Sequence, residues 1–249
     1  MPDIVGYDSW ADLYDRLYEN AFGPVFRNMT ERHMQIIDGA ARRGRFLDVG
    51  AGTGRLAVQL ALRGHRVTAV DPSQGMLDRL REKADQNHVA ASIECVSLSI
   101  QDYVCPADAL HDMTICVFST LHHILEQCDL DTGFRRMRDA TMQGGRVVVG
   151  VHPPDVFARF RAGVNQSVPA PSLGGMVGWF QIARPMTDHP HVLDTTCEIV
   201  LPSGRRVVDR LKTRAWTVGE VKEAAKRAEL TLVQSHGLVA TEEILEFRR

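Results

Sequence analysis

A glycine-rich turn between a strand and a helix constrains this 249-residue chain more than any other feature. The turn runs from Gly50 to Gly54, after the apolar strand pattern of residues 45–49 and before a helical pattern over residues 55–63. Glycines let a backbone turn tightly and approach a ligand without a Cβ in the way. At the carboxyl end of the first strand of an open parallel sheet, this turn is expected to be a ligand site.

Strand and helix patterns alternate after this turn. The alternation covers residues 44–154 and predicts a parallel sheet with helices on both faces. In residues 217–249, Thr217 and Glu220 form a capping box that starts a closing helix. The predicted strands are 45–49, 66–70, 92–98, 112–118, 146–151, 230–234 and 244–247, and the predicted helices are 55–63, 73–84, 130–141 and 218–228.

Two further regions precede and interrupt this core. Residues 1–43 predict two helices separated by the helix-breaking pair Gly23-Pro24, and we interpret them as an N-terminal lid. Residues 155–216 predict an insertion that is irregular over 155–190 and then forms a β-hairpin. The hairpin strands are predicted at 192–201 and 205–216.

The composition narrows the expected partners and compartment. A net charge of -2 gives no basic footprint of the kind that a nucleic-acid surface needs. No apolar run is long enough to cross a membrane, and the N-terminus lacks a signal-peptide pattern. The five cysteines include no CxxC pair, so neither a disulfide framework nor a zinc site is predicted. We therefore expect a cytoplasmic protein that binds a small molecule, without nucleic acid, membrane or metal.

Two ligand classes compete for the glycine turn. Residues 52–57 match the GxGxxG/A dinucleotide fingerprint, which is weak evidence when it stands alone. Asp48 would place a carboxylate where the pyrophosphate of NAD or FAD approaches, and this is repulsive. The same carboxylate favours S-adenosylmethionine (SAM), whose amino group and sulfonium are cationic. Asp71 ends the second strand and can accept ribose hydroxyls in either case; alternatively, Asp71-Pro72-Ser73 is only a helix cap.

Four segments together resemble the motifs of class I SAM-dependent methyltransferases. The resemblance implies an α/β fold with a Rossmann-like, mostly parallel seven-stranded sheet, an N-terminal helical lid and a late antiparallel β insertion. It implies SAM as cofactor, S-adenosylhomocysteine as product, and methyl transfer to oxygen or nitrogen of a small molecule. Residues 11–18 are similar to the lid of aminosugar N-methyltransferases of antibiotic pathways. The four segments are 46–54, 67–73 with Met76 and Leu77, 112–123, and 144–149.

The resemblance also implies roles for individual residues. Asp71 would hold the ribose, and Ser99 stands where the family often has an acidic residue that contacts the adenine. Tyr14 or Tyr18 would close over the cofactor; alternatively, both tyrosines pack the lid against the sheet. The other implied cofactor contacts are Gly50, Gly52 and Phe118 at the methionine part, and Pro72, Ser73, Met76 and Ile100 around the adenine.

Methyl transfer to a protonated acceptor benefits from a general base, and histidine suits that task near neutral pH. His123 is the first candidate, because it follows the fourth strand at the edge where ligands bind. His122 and Tyr18 are the further catalytic candidates, and His152 after the fifth strand ranks lower. Alternatively, one of the adjacent histidines caps the local turn and the other is exposed. Two neighbouring rings rarely reach one ion, so no metal site is predicted here.

The insertion leaves the acceptor side open to interpretation. The basic strand 205–214 is either a solvated face or a surface for an anionic acceptor. The aromatic-containing loop 157–182 is either an acceptor wall or a dimer contact, with Phe160, Met176, Trp179 and Phe180 as its large apolar residues. Two other functions remain open for the chain, namely SAM binding without methyl transfer and NAD-dependent oxidoreduction. A nucleic-acid methyltransferase is a weaker alternative, because the sequence contains no evident basic domain or base-stacking motif.

Overall fold

The computed structural model describes residues 7–37, 43–156 and 164–249. The described residues form two sheets and five α-helices. The strands are β1 (Arg45–Val49), β2 (Arg66–Val70), β3 (Ile93–Val96), β4 (His111–Cys116), β5 (Thr141–Val151), β6 (Val164–Ala170), β7 (Gly175–Pro185), β8 (Val192–Val200), β9 (Arg206–Arg214), β10 (Thr231–Val239) and β11 (Glu242–Arg248). The helices are α1 (Ala11–Ile37), α2 (Ala57–Leu62), α3 (Gln74–Gln86), α4 (Gln127–Ala140) and α5 (Val218–Arg227).

The central sheet has seven strands in the order β10-β11-β5-β4-β1-β2-β3. Strands β1 to β5 pair in parallel, whereas β11 runs antiparallel to both β5 and β10. Successive side chains of a strand point to opposite faces, so Phe46 and Leu47 enter separate cores on the two sides of the sheet. The predicted Rossmann-like α/β fold is therefore confirmed.

The N-terminal lid is one long helix with a kink. Helix α1 continues through the predicted break, with Phe22 in a non-helical conformation (φ -131°) and Pro24 inside the helix. Proline lacks the N–H that a continuous helix requires, and its ring crowds the preceding turn. The break predicted at Gly23-Pro24 is thus a bend within the lid. The predicted extension of its second half to residue 41 lies outside the described residues.

The prediction of an irregular segment over residues 155–190 is wrong. Strands β6 and β7 lie there, and with β8 and β9 they form a four-stranded antiparallel sheet. The predicted β8–β9 hairpin is confirmed. The sequence concealed the other two strands because Pro169 stands in β6, an edge strand that tolerates proline, and because β7 is apolar on both faces.

The inserted sheet packs on the lid. Trp10, Leu13 and Leu17 of the lid segment share one buried cluster with Val177 and Trp179 of β7. The lid is consequently held on its outer side by a layer that belongs to a distant part of the sequence. Within the described ranges, none of the helices combines the length and the hydrophobicity that a membrane crossing requires.

Candidate active site

A cavity of about 770 Å³ lies at the carboxyl ends of the central parallel strands. The glycine turn and the ends of β2 and β4 supply one side of it, and the lid and β9 supply the other. Ser73, Tyr18 and His122 lie outside this wall. The predicted residues that line the cavity are Tyr14, Asp48, Gly50, Gly52, Asp71, Pro72, Met76, Ser99, Ile100, Phe118 and His123.

The glycine turn has the geometry of a ligand loop. Gly50 and Gly52 adopt positive φ angles of 68° and 54°, which non-glycine residues rarely adopt. A Cβ at Gly50 would overlap the side chain of Thr120, whereas a Cβ at Gly52 would meet only open space. The turn therefore packs tightly against the loop after β4 at Gly50 and leaves room for a ligand at Gly52.

Asp71 fixes the turn and faces the cavity. One carboxylate oxygen accepts the Gly52 N–H at 2.8 Å, and the other accepts the Ser73 N–H at 2.9 Å. A carboxylate oxygen has a second lone pair, so both oxygens can accept a further hydroxyl. Burial raises the pKa of Asp71, and the two N–H groups oppose that rise. The helix cap is Ser73, whose hydroxyl accepts the Met76 N–H at 3.2 Å.

Asp48 is a buried carboxylate whose charged neighbours are Arg55 and Asp71. It is 4% exposed and still lines the cavity. Burial raises its pKa to about 7, the charge of Asp71 adds to that rise, and the Arg55 guanidinium opposes it. A carboxylate in this position gains by meeting a cation, because a positive ligand would favour its ionised form.

Arg55 is a cavity residue that the sequence interpretation missed. Its guanidinium lies 5.0 Å from the ring centroid of Phe118 and 5.6 Å from that of Phe26. It also donates to the Thr30 hydroxyl at 3.1 Å, which links it to the lid. The available signal was a charged residue directly after the glycine turn. Burial lowers the pKa of Arg55, and the charges of Glu242 and then of Asp48 oppose this effect, so Arg55 and Asp48 are two cavity residues that interact electrostatically.

His123 faces the cavity together with Tyr7, a second residue that the sequence interpretation missed. The Tyr7 hydroxyl lies 3.3 Å from His123 Nε2, and the Lys212 carbonyl accepts a hydrogen bond from the imidazole. Since Nε2 faces the hydroxyl, we assign Nδ1 as the donor to the carbonyl. Burial lowers the pKa of His123 to about 4, although its ring stays open to the cavity. The imidazole is therefore neutral at pH 7.

His122 and His152 form a buried stacked pair behind the cavity. Their ring centroids are 5.1 Å apart. His122 Nδ1 donates to the Arg214 carbonyl at 2.7 Å, and His122 Nε2 accepts the His152 N–H at 3.0 Å. Burial lowers the pKa of His122 to about 3, and the neighbouring His152 adds to this effect. Both nitrogens of His122 are engaged, so this ring joins β5, β9 and the loop after β4.

The two lid tyrosines have different surroundings. Their rings stack with centroids 4.4 Å apart, and Tyr14 lines the cavity. Tyr18 instead packs against Trp179 of the inserted sheet and against Phe118, with centroids 5.6 and 5.9 Å away. Tyr14 therefore faces the cavity, whereas Tyr18 packs the lid against its neighbours.

Ser99 and the basic strand occupy the margins of the cavity. The Ser99 hydroxyl donates to Asp102 at 2.6 Å, so Asp102 closes a local turn there. In the basic strand, Arg206 pairs with Glu198 at the surface, whereas Arg210 and Lys212 reach the cavity wall. The strand is therefore partly solvated and partly a cavity margin. In the loop predicted over 157–182, Trp179 packs on the lid, Met176 and Phe180 are exposed, and Phe160 lies outside the described residues.

The fold and this cavity define a class of protein. A buried carboxylate, Asp71, follows β2, a glycine turn follows β1, and Asp48 and Arg55 also line the cavity between these strand ends and the lid. The cavity is thus part of an α/β domain and has charged groups of both signs in its wall. The family described as a methyltransferase domain matches residues 46–145. The predicted resemblance to methyltransferases is confirmed over this core: residues 46–145 match a methyltransferase domain, and the fold is that of Rossmann-like methyltransferases.

Sequence relatives cover the core of the chain. A protein of Geobacillus sp. (strain WCH70) that is provisionally named a methyltransferase is 30% identical over 146 residues, 59% of this chain and 57% of that protein. The tRNA 5-carboxymethoxyuridine methyltransferase of Escherichia coli (strain K12) is 30% identical over 82 residues, 33% of this chain and 30% of that enzyme. The chain spans little more than half the length of the Geobacillus relative.

Solved structures share the fold over almost the whole chain. The CcbJ methyltransferase from Streptomyces caelestis has a TM-score of 0.80 at 22% identity, covering 97% of this chain and 96% of its own. The sugar N-methyltransferase KedS8 from Streptoalloteichus sp. has a TM-score of 0.75 at 15% identity, covering 100% of this chain and 95% of its own. At these identities, the likeness establishes the architecture alone.

Proposed function

We propose that this protein is a SAM-dependent methyltransferase that transfers a methyl group to nitrogen or oxygen of a small molecule. The observation that carries the proposal is that Asp48 and Arg55, which interact electrostatically, both line the cavity at the glycine turn. The buried Asp48 carboxylate would repel the pyrophosphate of a dinucleotide. The amino acid part of SAM instead offers its ammonium group to Asp48 and its carboxylate to Arg55. This difference favours SAM over NAD as the ligand, and the cavity residues described above offer no matching site for a pyrophosphate.

The cavity residues fit each part of SAM. The lone pairs of Asp71 that remain after its two backbone contacts suit the ribose hydroxyls. Gly52 leaves open space for the methionine part. Tyr14 and Phe118 offer ring faces near it, and aromatic rings attract cations. The apolar wall available to the adenine consists of Pro72, Met76 and Ile100, with Ser99 at its margin and Ser73 behind it as the cap of α3.

SAM supplies an electrophilic methyl group on a sulfonium when it is bound. The chain must then orient the acceptor, exclude water and receive a proton. His123 Nε2 is the group that receives the proton, because its ring is neutral and opens into the cavity. The Lys212 carbonyl holds the opposite nitrogen as a donor, and the Tyr7 hydroxyl adjoins Nε2 at 3.3 Å. His122 and Tyr18 support the adjoining walls from outside the cavity.

A small acceptor suits the enclosure of the cavity. The lid and β9 close the side opposite the glycine turn, which leaves little room for a folded nucleic acid. The E. coli relative that acts on tRNA matches over only 33% of this chain. By contrast, the likeness to the sugar N-methyltransferase includes the lid and the inserted sheet. All five cysteines are free thiols, which supports a reducing cytoplasm.

The test is transfer of a labelled methyl group from SAM. Purified protein would be incubated with SAM and a panel of amino sugars, small amines, phenols and bulk tRNA, and products would be identified by mass spectrometry. Methylation of a small amine or hydroxyl compound supports the proposal. Methylation of tRNA alone would overturn the acceptor class, and SAM binding without any transfer would favour a non-transferring binder.

A further inference from the structure

The loop after β4 contains two consecutive residues in an unusual backbone conformation. Phe118 and Ser119 have φ angles of 61° and 67°, in the left-handed region that favours glycine. Such conformations persist only where the surrounding structure determines them, and they cluster at functional sites. Phe118 lines the cavity. The strained turn therefore needs an anchor, and it stands where an anchor would affect the ligand site.

The anchor is the side chain of Glu242, at the start of β11. Its carboxylate is 0% exposed, and one of its oxygens accepts the Ser119 N–H at 2.7 Å. The same carboxylate lies 3.4 Å from His33 Nε2 of the lid and 3.9 Å from His152 Nε2. A fully buried carboxylate is costly unless polar partners compensate it. The Phe118 backbone also donates to this carboxylate, and the charge of the carboxylate acts on Arg55. The lid, the end of the glycine turn, the loop after β4 and the residue after β5 thus converge on one charge behind the cavity.

The sheet makes room for this carboxylate. Gly150 of β5 lies opposite Ile244 in the register of β5 and β11. A Cβ at Gly150 would lie 2.7 Å from a Glu242 carboxylate oxygen, which is closer than real Cβ atoms approach. Glycine at position 150 therefore makes room for the Glu242 carboxylate. A glycine inside a strand otherwise weakens it, and it often marks a site of close approach.

The turn that Glu242 anchors joins both ends of the ligand site. The Arg55 guanidinium lies over the Phe118 ring, 5.0 Å from its centroid. Thr120 packs where a Cβ of Gly50 would be, so it contacts the glycine turn. The short 3-10 helix Thr120–His123 then leads directly to the proposed base. A shift of this turn would move the cofactor side and the acceptor side together.

We propose that Glu242 is a positioning residue for the cofactor site, acting through its hydrogen bond to the Ser119 N–H. The carboxylate holds the Phe118–Ser119 turn so that Phe118 and Thr120 close against the glycine turn. This inference rests on the proposed function, because the affected ligand is SAM or its product.

The first test compares the affinity of S-adenosylhomocysteine for two matched variants by calorimetry. Glu242→Leu removes the acceptor and keeps an apolar side chain in place, and we expect at least about tenfold weaker binding. Glu246→Leu is the control on the same strand. Its glutamate pairs with Arg146 and His236 at 3.2 and 2.8 Å, away from the cavity. We expect this control to bind within about twofold of wild type. A folded Glu242→Leu protein that binds as wild type does would overturn the proposal.

A second variant separates positioning from general stability. Glu242→Gln keeps an oxygen that can accept the Ser119 N–H, so it should recover most of the affinity lost in Glu242→Leu. The amide resonance of Ser119 provides a readout without ligand. We expect a low-field proton shift in wild type, typical of an N–H bonded to a carboxylate, and a clear upfield move in Glu242→Gln. An unchanged Ser119 resonance would contradict the contact itself.

Failure of the proposed function has a different signature. If wild type binds no S-adenosylhomocysteine while the Ser119 resonance responds to Glu242→Gln, the anchor exists and the assigned ligand is wrong. If wild type binds and both leucine variants lose affinity equally, Glu242 has only a structural role and the positioning proposal fails.

Discussion

The two halves of the cavity are built in different ways. The half that we propose for the cofactor comes from residues close together in sequence, because Asp48, Gly52 and Asp71 lie at the ends of two adjacent parallel strands or directly after them. The acceptor half joins Tyr7, His123 and the Lys212 carbonyl, which are brought together only by the packing of the lid and the inserted sheet. The first half is a property of a local strand–turn–helix unit. The second is a property of the assembled tertiary structure.

The halves also differ in electrostatics. The cofactor half carries carboxylates whose pKa values burial raises, with backbone N–H groups and a guanidinium to oppose the rise. The acceptor half carries a histidine whose pKa burial lowers to about 4. One half is therefore suited to binding a charged ligand, and the other presents a neutral imidazole to the cavity. Mutations in the two halves should consequently affect different measurements.

The largest expected effect is on turnover, in the acceptor half. His123→Ala should lower kcat by about 10²- to 10³-fold, since a positioned general base contributes about 10²- to 10⁴-fold. The affinity for S-adenosylhomocysteine should stay within about twofold of wild type. Steady-state kinetics with the acceptor from the panel, together with calorimetry, measure both quantities.

His189→Ala is the control for this variant, because His189 is exposed and precedes β8. Its kcat should equal that of wild type. An unchanged kcat in His123→Ala would remove His123 from the mechanism. A large loss of cofactor affinity in the same variant would break the division between the halves.

The next effect is on binding, in the cofactor half. Asp71→Ala should weaken S-adenosylhomocysteine by about 10²-fold, because hydrogen bonds to a charged group contribute about 1.5–3 kcal/mol each. Saturating SAM should restore much of kcat, since the acceptor half is unaltered. Asp78→Ala, at an exposed position of α3 that pairs with Arg81, should bind as wild type does. Unchanged affinity in Asp71→Ala would refute the ribose assignment.

The smallest effect is a pH dependence that belongs to Asp48. Its pKa of about 7 means that the ionised form, which suits the ligand amino group, is lost as the pH falls. S-adenosylhomocysteine should bind about tenfold more weakly at pH 6 than at pH 8. Adenosine lacks the amino acid group and should show no such dependence. The same flat profile is expected for S-adenosylhomocysteine with Asp48→Asn.

Asp48 also affects the stability of the unliganded protein in the opposite direction. A carboxyl pKa that is higher in the folded state than in the unfolded state stabilises the fold at low pH, and this contribution is lost as the pH rises through about 7. The free energy of unfolding of Asp48→Asn at pH 8 should therefore exceed that of wild type by up to about 4 kcal/mol. Denaturant titration at pH 5 and pH 8 measures the difference, and a larger gain at pH 5 would contradict it.

The difference between the two halves of the cavity explains which site residues the sequence could predict. Asp48, Gly50, Gly52 and Asp71 follow from a turn whose neighbours are fixed by strand and helix patterns. Tyr7 precedes the first segment with helical periodicity, so no sequence pattern indicates which way its side chain points. Its meeting with His123 spans 116 positions of the chain.

The sequence did not predict the strands of the insertion or the contact between Glu242 and Ser119, and the two failures have similar reasons. Strand β7 carries Val177 and Trp179 inward and Met176 and Phe180 outward, so it lacks the alternation of apolar and polar residues that reveals a half-buried strand. Glu242 contacts Ser119 across 123 positions and looks like an ordinary surface charge in the sequence. Contacts of this kind depend on the topology of the whole sheet, which local patterns do not contain.

The most direct test of the central claim is calorimetric titration of the purified protein with S-adenosylhomocysteine, with NAD in a parallel titration. The positions of Asp48 and Arg55 in the cavity wall, together with the contact of Asp71 with the glycine turn, predict saturable binding of S-adenosylhomocysteine at a one-to-one ratio and no heat of binding with NAD. Binding of NAD without binding of S-adenosylhomocysteine would contradict the assignment of the cavity.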